Sequence, residues 1–179
     1  MIYDFHLGKL ILTPPKTASS TLHTELCSRA GCFYILAMAQ WGRISKHCAL
    51  GELGQTPYEF AFERTYDVLL TVRHPIERLI SMYGHQCRYD GYSGCFEDWV
   101  RDRESDGGKN WLRSCHSHLS GQQPDGILRT EFLNKDLEDH ELPTVCLRVN
   151  ESKESRQVDR DLAADTARRW WPDDWQYYQ

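Results

Sequence analysis

Short apolar runs alternate along the chain with longer amphipathic stretches. Residues 9–13 and 66–72 form the two clearest apolar runs, and each predicts a buried strand followed by a proline-containing turn. Weaker runs at residues 33–37, 126–130 and 144–149 predict three further short strands. The pattern therefore predicts about five strands, separated by connections long enough to hold helices.

Apolar residues at helical spacing occupy several of these connections. Leu22 and Leu26 lie four residues apart and indicate a helix after the first strand, while Pro75 stands at the expected first position of another helix. Residues 134–140 and 159–170 predict two more helices. The helix that begins at Pro75 carries four apolar residues on one face: Ile76, Leu79, Ile80 and Tyr83. That face is expected to pack against the core.

Alternating strands and helices predict an α/β fold: a single P-loop-like domain over residues 1–179, with a mainly parallel sheet of about four or five strands flanked by helices. In such sheets ligands bind beyond the carboxyl ends of the strands, where loops enter helix N-termini. The residues that follow the two strongest predicted strands are therefore the first candidates for chemistry.

Composition and charge narrow the function classes. The chain is 40% hydrophobic and 26% charged, which is enough apolar material for a core and argues against disorder. Its net charge of −5 disfavours a general nucleic-acid binder, because neutralising phosphates needs a net basic face. No nucleic-acid partner is expected, and any anion site must be local.

The sequence also allows a prediction of the cellular compartment. No signal-peptide pattern opens the chain, and no apolar run approaches the roughly 18 residues needed to span a bilayer. A cytoplasmic protein without a membrane partner is expected. The 7 cysteines are odd in number and contain no C-x-x-C, so reduced thiols are expected rather than a zinc ribbon or a disulfide framework.

The first candidate site is T-P-P-K-T-A-S-S-T at residues 13–21. It lacks the glycines of a nucleotide-triphosphate P-loop, and Pro14 and Pro15 have no N–H to offer an anion. From Lys16 onward every residue has an amide, and Lys16 adds a positive charge near a helix N-terminus. Three small hydroxyl residues can add donors: Ser19, Ser20 and Thr21. The alternative is that these hydroxyls only cap the helix.

The second candidate site is V-R-H-P-I-E-R-L-I-S at residues 72–81. Arg73 ends the clearest predicted strand, at the same sheet edge as Lys16, and Ser81 falls well away from the apolar helix face. Arg73 and Ser81 could share one phosphate. Alternatively, Arg73 is a surface cation and Ser81 a neutral helix residue.

Together the two segments resemble the sulfotransferases that use 3′-phosphoadenylyl sulfate (PAPS). Residues 15–21 look like the 5′-phosphosulfate loop of that family, and residues 72–83 look like its 3′-phosphate motif, usually written R-D-P-x-x-R-x-x-S. The likeness is greatest to the carbohydrate O-sulfotransferases, especially the uronosyl 2-O branch. His74 departs from the pattern, since the family usually has Asp there.

The resemblance implies transfer of a sulfuryl group from PAPS to a hydroxyl of a carbohydrate, lipid or small-molecule acceptor, with adenosine 3′,5′-bisphosphate as product and no metal. It implies that Lys16 acts at the bridging oxygen and that Arg73 and Ser81 bind the 3′-phosphate. Weaker similarity at residues 147–153 implies a loop that closes over the cofactor through Ser152 and Lys153. The 5′ loop itself would bind through six residues: Lys16, Thr17, Ala18, Ser19, Ser20 and Thr21.

Histidines are the candidates for the base that an acceptor hydroxyl needs. His47 lies between the two motifs, as a histidine does in the 2-O branch, and is our candidate; the alternative is a structural histidine. His116 and His118 supply too few partners for a metal and are expected to line the acceptor cleft. The tryptophans and tyrosines of residues 170–178 are expected to pack against the sheet and receive no site.

Two other functions remain open at this point. A P-loop kinase would also place Lys16 and Thr17 after a strand, although the missing glycines oppose it. A non-catalytic nucleotide-binding module could keep the fold without turnover. For an enzyme, the net charge of −5 favours a neutral or modestly charged acceptor over a long polyanion.

Overall fold

The computed structural model describes all residues except 5, 29–31, 35–36, 39–43, 46, 48, 56–65, 106–112 and 147–157. The strands are β1 (Ile2–Asp4), β2 (Lys9–Leu12), β3 (Cys32–Tyr34), β4 (Ala37–Met38), β5 (Ile44–Ser45), β6 (Asp67–Val72) and β7 (Gly126–Arg129). The α-helices are α1 (Ser19–Leu26), α2 (Pro75–Tyr89), α3 (Phe96–Ser105), α4 (Leu133–Asp139) and α5 (Arg160–Trp170). Short 3₁₀ helices cover Leu50–Gln55, His116–Leu119, Thr130–Phe132 and Pro172–Tyr178.

Five strands form the main sheet, in the order β3-β1-β2-β6-β7. The pairs β2–β6 and β6–β7 are parallel, with Leu12 level with Leu70 and Val72 level with Arg129. β1 runs antiparallel between β2 and β3, and β4 and β5 form a separate two-stranded sheet. Because β2, β6 and β7 point the same way, their carboxyl ends deliver the chain to one edge of the sheet.

The central strands are apolar on both faces because both faces are covered. One face packs against residues of the Leu50–Gln55, His116–Leu119 and Pro172–Tyr178 helices. The opposite face packs against α1 and α4, through Leu22, Leu26 and Leu137. Alternate residues of β2 and β6 serve the two clusters, as the two-residue period of a strand requires.

A third apolar cluster joins α2, α3 and α5. The stripe predicted on α2 is confirmed, since Leu79 and Tyr83 are buried there and Ile76 and Ile80 pack against the same cluster. Ala163 and Ala167 form the buried face of α5. None of the described helices is both long and apolar enough to cross a bilayer.

The predicted α/β fold class is confirmed, and the strands at 9–13, 66–72 and 126–130 lie within one residue of the structure. The run at 33–37 is wrong as a single strand, because its ends belong to β3 and β4 in different sheets. The strand predicted at 144–149 is absent over residues 144–146, and residues 147–149 lie outside the described part. β1 and α3 have no counterpart in the predicted elements.

Candidate active site at the edge of the sheet

The loop between β2 and α1, residues 13–18, turns sharply without a glycine. Lys16 and Ala18 have φ angles of 68° and 58°, in the left-handed region that costs a non-glycine residue about 1–2 kcal/mol. Buried contacts hold the turn in this shape. The Thr17 hydroxyl donates to Pro14 O at 2.7 Å and lies 2.6 Å from Thr71 Oγ1 on β6. The loop is therefore tied directly to the neighbouring parallel strand.

The start of α1 offers backbone N–H groups toward this loop. The N-cap residue is Ala18, which has no side-chain oxygen to cap the helix, and Ser19 and Ser20 are already helical. The first N–H groups of a helix have no intrahelical acceptor, and its dipole favours an anion there. The arrangement does not support the alternative in which these serines only cap, and it is suited to a phosphate or sulfate group.

The second motif lies against this loop, as the strand order predicts. Arg78, in the second turn of α2, is 0% exposed, and its Nε donates to Pro15 O at 3.1 Å. Ser81 follows three residues later, so it neighbours Arg78 on the helix surface and is half-buried. The Pro15–Arg78 contact thus joins the two motifs, and the Thr17–Thr71 contact ties the first motif to the strand that leads into the second.

Arg73 follows the last residue of β6, beside the end of β2. Its side chain is half-buried, and among the described residues no hydrogen bond or ion pair involves the guanidinium. An anion that binds this guanidinium would break no hydrogen bond or ion pair among the described residues. The shared phosphate contact of Arg73 and Ser81 stays a prediction.

His74 stands between Arg73 and the start of α2. Its backbone N–H donates to Glu131 Oε1 at 3.0 Å, and the other carboxylate oxygen of Glu131 accepts from the Tyr178 hydroxyl at 2.7 Å. The His74 ring meets the rings of Trp175 and Tyr178 edge-on, with centroids 5.4 and 5.2 Å away. The histidine at the family's aspartate position is therefore accommodated by aromatic packing.

His47 lies at the entrance of the loop. Its Nδ1 is 2.6 Å from the carbonyl oxygen of Thr13, the first loop residue. A carbonyl only accepts, so Nδ1 carries the proton and the lone pair of the neutral ring is on Nε2. This tautomer can take up a proton at Nε2. The structure thus brings the predicted base to the loop, while its catalytic role stays a prediction.

The two other predicted site histidines lie on the His116–Leu119 helix. His116 Nδ1 is 2.8 Å from the Tyr177 hydroxyl. His118 is 2% exposed, its Nδ1 lies 3.0 Å from Ser114 O, and burial lowers its pKa to about 3. The positive charge of Arg78 also contributes to that lowering of the pKa. Contact of either ring with an acceptor stays a prediction.

Asp174 and Arg78 are site residues for which the sequence analysis predicted no role. Asp174 is 1% exposed and accepts from Arg78 Nη1 at 3.1 Å and from the N–H groups of Cys115 and His116 at 2.8 and 2.9 Å. Arg78 is one of the fixed residues of the R-D-P-x-x-R-x-x-S pattern, so the second motif could have been used to predict a role for it. Nothing local distinguishes Asp174 from the exposed Asp173 beside it.

The predicted ligands Ser152 and Lys153 lie outside the described residues. Within the part of the chain that the structure describes, no group of three or more His, Cys, Asp or Glu residues is arranged to hold a metal ion. The donors gathered at the sheet edge are cations, hydroxyls and backbone N–H groups, a set that suits an anion.

Comparison with known proteins gives one match. Residues 10–160 match the family model described as "Sulfotransferase family", a span that includes both motifs and His47, His116 and His118. No curated protein and no solved structure matches the chain significantly.

Proposed function

This chain belongs to the sulfotransferase family, and from that premise we propose that it transfers a sulfuryl group from PAPS to a hydroxyl acceptor. The observation that carries the proposal is the pair of contacts that hold the first motif against β6 and against the second motif. Thr17 lies 2.6 Å from Thr71 of β6 and Arg78 donates to Pro15 O at 3.1 Å, so residues 13–21 and 72–81 lie together at one sheet edge, which supports a shared site for the two phosphate ends of PAPS.

The donor set fits a nucleotide with anionic groups at both ends. The uncapped start of α1, with the charge of Lys16, suits the 5′-phosphosulfate, and Ser19, Ser20 and Thr21 lie in its first turn. Ser81 and the Arg73 guanidinium, which makes no hydrogen bond or ion pair with the described residues, suit the 3′-phosphate. The likeness of residues 147–153 to a closing loop adds Ser152 and Lys153 as further proposed donor ligands.

Bound PAPS supplies an electrophilic sulfuryl group on a phosphate leaving group. The acceptor oxygen forms the new S–O bond as the bond to the phosphate oxygen breaks, and charge is dispersed over the transferring group, as in phosphoryl transfer. Positioning and fixed positive charge are then the main contributions of the protein. Lys16 stabilises the charge that develops on the departing phosphate.

His47 takes the proton of the acceptor hydroxyl. Its Nδ1–H is held by Thr13 O, which leaves the basic electron pair on Nε2. Imidazole is suited to this task near neutral pH. Because Thr13 begins the loop that carries Lys16, base and leaving-group charge are fixed to the same short segment.

The acceptor is proposed to be a hydroxyl on a neutral or modestly charged sugar, lipid or small molecule, because the net charge of −5 opposes a long polyanion. The resemblance to the uronosyl 2-O branch puts a sugar hydroxyl first. His116 and His118 are proposed to line its cleft. The family match does not favour the kinase alternative.

Transfer from labelled PAPS to a panel of acceptors tests the proposal. Label on a hydroxyl acceptor, with release of adenosine 3′,5′-bisphosphate that depends on the acceptor, is the expected result. Bisphosphate binding without transfer to any acceptor would support a non-catalytic module instead. Preference for heparan-type chains would overturn the proposed acceptor charge, and preference for ATP with Mg²⁺ would overturn the donor.

A further inference from the structure

We propose that the C-terminal 3₁₀ helix, Pro172–Tyr178, belongs to the active site, and that Asp174 is a positioning residue that sets the donor-binding loop through Arg78. The proposal rests on the proposed function. The helix lies beyond residues 10–160, the span that matches the family, so the family match assigns it no role.

Arg78 connects three separate parts of the site. Its Nε donates to Pro15 O in the donor loop at 3.1 Å, its Nη2 to Arg113 O at 2.7 Å and its Nη1 to Asp174 at 3.1 Å. The ring of Trp171 lies 4.4 Å from Cζ. Because the guanidinium is a rigid planar fork, a shift of one partner moves the donors offered to the others.

Asp174 binds both the Arg78 guanidinium and the backbone at the start of the His116–Leu119 helix. Its Oδ2 accepts from Arg78 and from the Cys115 N–H, and its Oδ1 accepts from the His116 N–H. A carboxylate that is 1% exposed must have its oxygens satisfied in this way. The carboxylate therefore locks the start of the His116–Leu119 helix to Arg78.

The donor-binding loop, residues 13–18, needs contacts from other parts of the chain to keep its shape. Pro14 and Pro15 contribute no N–H of their own, and the next residue, Lys16, is in the left-handed region. The Arg78 bond to Pro15 O lies immediately before Lys16. A continuous path of hydrogen bonds and one peptide link thus runs from the Cys115 and His116 amides through Asp174 and Arg78 to the turn that aims Lys16.

Other residues of the C-terminal helix contact the same site. Trp175 and Tyr178 pack against the ring of His74, next to Arg73. The Tyr177 hydroxyl lies 2.8 Å from His116 Nδ1. The Pro172–Tyr178 helix therefore contacts both the second motif, at His74, and the His116–Leu119 helix, which is proposed to line the acceptor cleft. A residue that positions these two parts relative to each other must lie between them.

The first test is Asp174→Asn, with binding of adenosine 3′,5′-bisphosphate measured by calorimetry. The amide turns an NH₂ group toward donors, so Arg78 and the Pro15 bond shift, and affinity is expected to fall about tenfold through Arg78. Asp136→Asn is the matched control. Asp136 is also buried and paired with an arginine, Arg129, and this variant is expected to bind the bisphosphate normally.

A folded Asp174→Asn that binds the bisphosphate as tightly as the wild type would overturn the proposal. An equal loss in Asp136→Asn would also overturn it, because the effect would then be general destabilisation. If Asp174 were merely structural, Asp174→Asn would lower the melting temperature without weakening binding in the folded protein.

The second test uses the wild-type chain and does not depend on a variant that folds. Adenosine 3′,5′-bisphosphate is expected to slow amide hydrogen exchange in residues 13–21 and also at Cys115, His116 and residues 171–178, while α4 stays unchanged. Slowing confined to residues 13–21 would overturn the positioning role and leave the proposed function standing. No slowing anywhere would remove the proposed function, and the positioning role with it.

Discussion

Arg78→Met removes the guanidinium at the centre of the site and leaves a side chain of comparable length against Trp171. The Asp174 carboxylate keeps its two backbone N–H donors but loses its cation. The carbonyls of Pro15 and Arg113 lose their donor as well. The variant therefore creates a buried charge without a counter-ion and leaves two half-buried carbonyls that must find new donors.

The degree of burial sets the size of the effect. Arg78 and Asp174 have side chains that are 0% and 2% exposed, and removing one partner of such a buried pair costs about 3–5 kcal/mol, against about 0–1 kcal/mol for a surface pair. We expect Arg78→Met to lower the free energy of unfolding by about 4 kcal/mol. Adding Asp174→Asn removes the uncompensated charge, so the double variant is expected to lose less than the sum of the single losses by at least about 1 kcal/mol.

Urea unfolding followed by tryptophan fluorescence measures these losses. Arg169→Met is the matched control, because Arg169 pairs with Glu104 at 2.7 Å on the surface, where the two side chains are 55% and 39% exposed. It is expected to cost under about 1 kcal/mol. If Arg78→Met costs no more than Arg169→Met, or if the Arg78 and Asp174 losses simply add, Arg78 and Asp174 do not form a strongly coupled buried pair.

Three further predictions concern catalysis and pH. Lys16→Ala is expected to lower kcat about a hundredfold while bisphosphate affinity falls less than about tenfold, because the helix amides remain; unchanged kcat would remove Lys16 from the reacting centre. His47→Ala is expected to lower kcat by about 10²–10⁴-fold with bisphosphate binding and melting temperature retained; normal turnover would show that another histidine is the base. His118 stays neutral in the fold down to a pKa of about 3, whereas the unfolded chain takes up the proton near its ordinary value of 6.5, so stability falls as the pH drops through this window. In urea titrations between pH 6 and 4, His118→Gln should lessen this fall by about 1.4 kcal/mol per pH unit, and an unchanged slope would show that His118 is protonated in the fold.

The strands and the motif positions could be predicted because their signals are local. Residues 10–12 of β2 and 68–70 of β6 are apolar without interruption since both sheet faces are covered, and residues after parallel strands must meet at one edge. β1 could not be predicted, because its three residues, Ile2–Asp4, are too few to show an alternation of apolar and polar positions. In α3 the apolar residues Phe96, Trp99 and Val100 do have helical spacing, but seven polar or charged residues surround them.

The role of Asp174 could not be predicted, because it depends on tertiary structure alone. Its burial follows from the way α5 ends at Trp170 and the chain turns back toward Cys115 and Arg78. In the sequence it is one of two adjacent aspartates among aromatic residues, a pattern that indicates only packing. Packing of these aromatic residues against the sheet was predicted and holds for Tyr177 and Tyr178. It is wrong for Trp171, which is fully buried in the cluster of α2, α3 and α5.

One sheet edge is proposed to bind both phosphate ends of the donor nucleotide. Calorimetry with adenosine 3′,5′-bisphosphate and with AMP, on the wild type and on Arg73→Ala, tests this. We predict that the wild type binds the bisphosphate about ten- to a hundredfold more tightly than AMP, and that Arg73→Ala loses this preference, because a charge-assisted contact to the 3′-phosphate contributes about 1.5–3 kcal/mol. Equal affinity of the wild type for the two nucleotides, or an undiminished preference in Arg73→Ala, would contradict the claim.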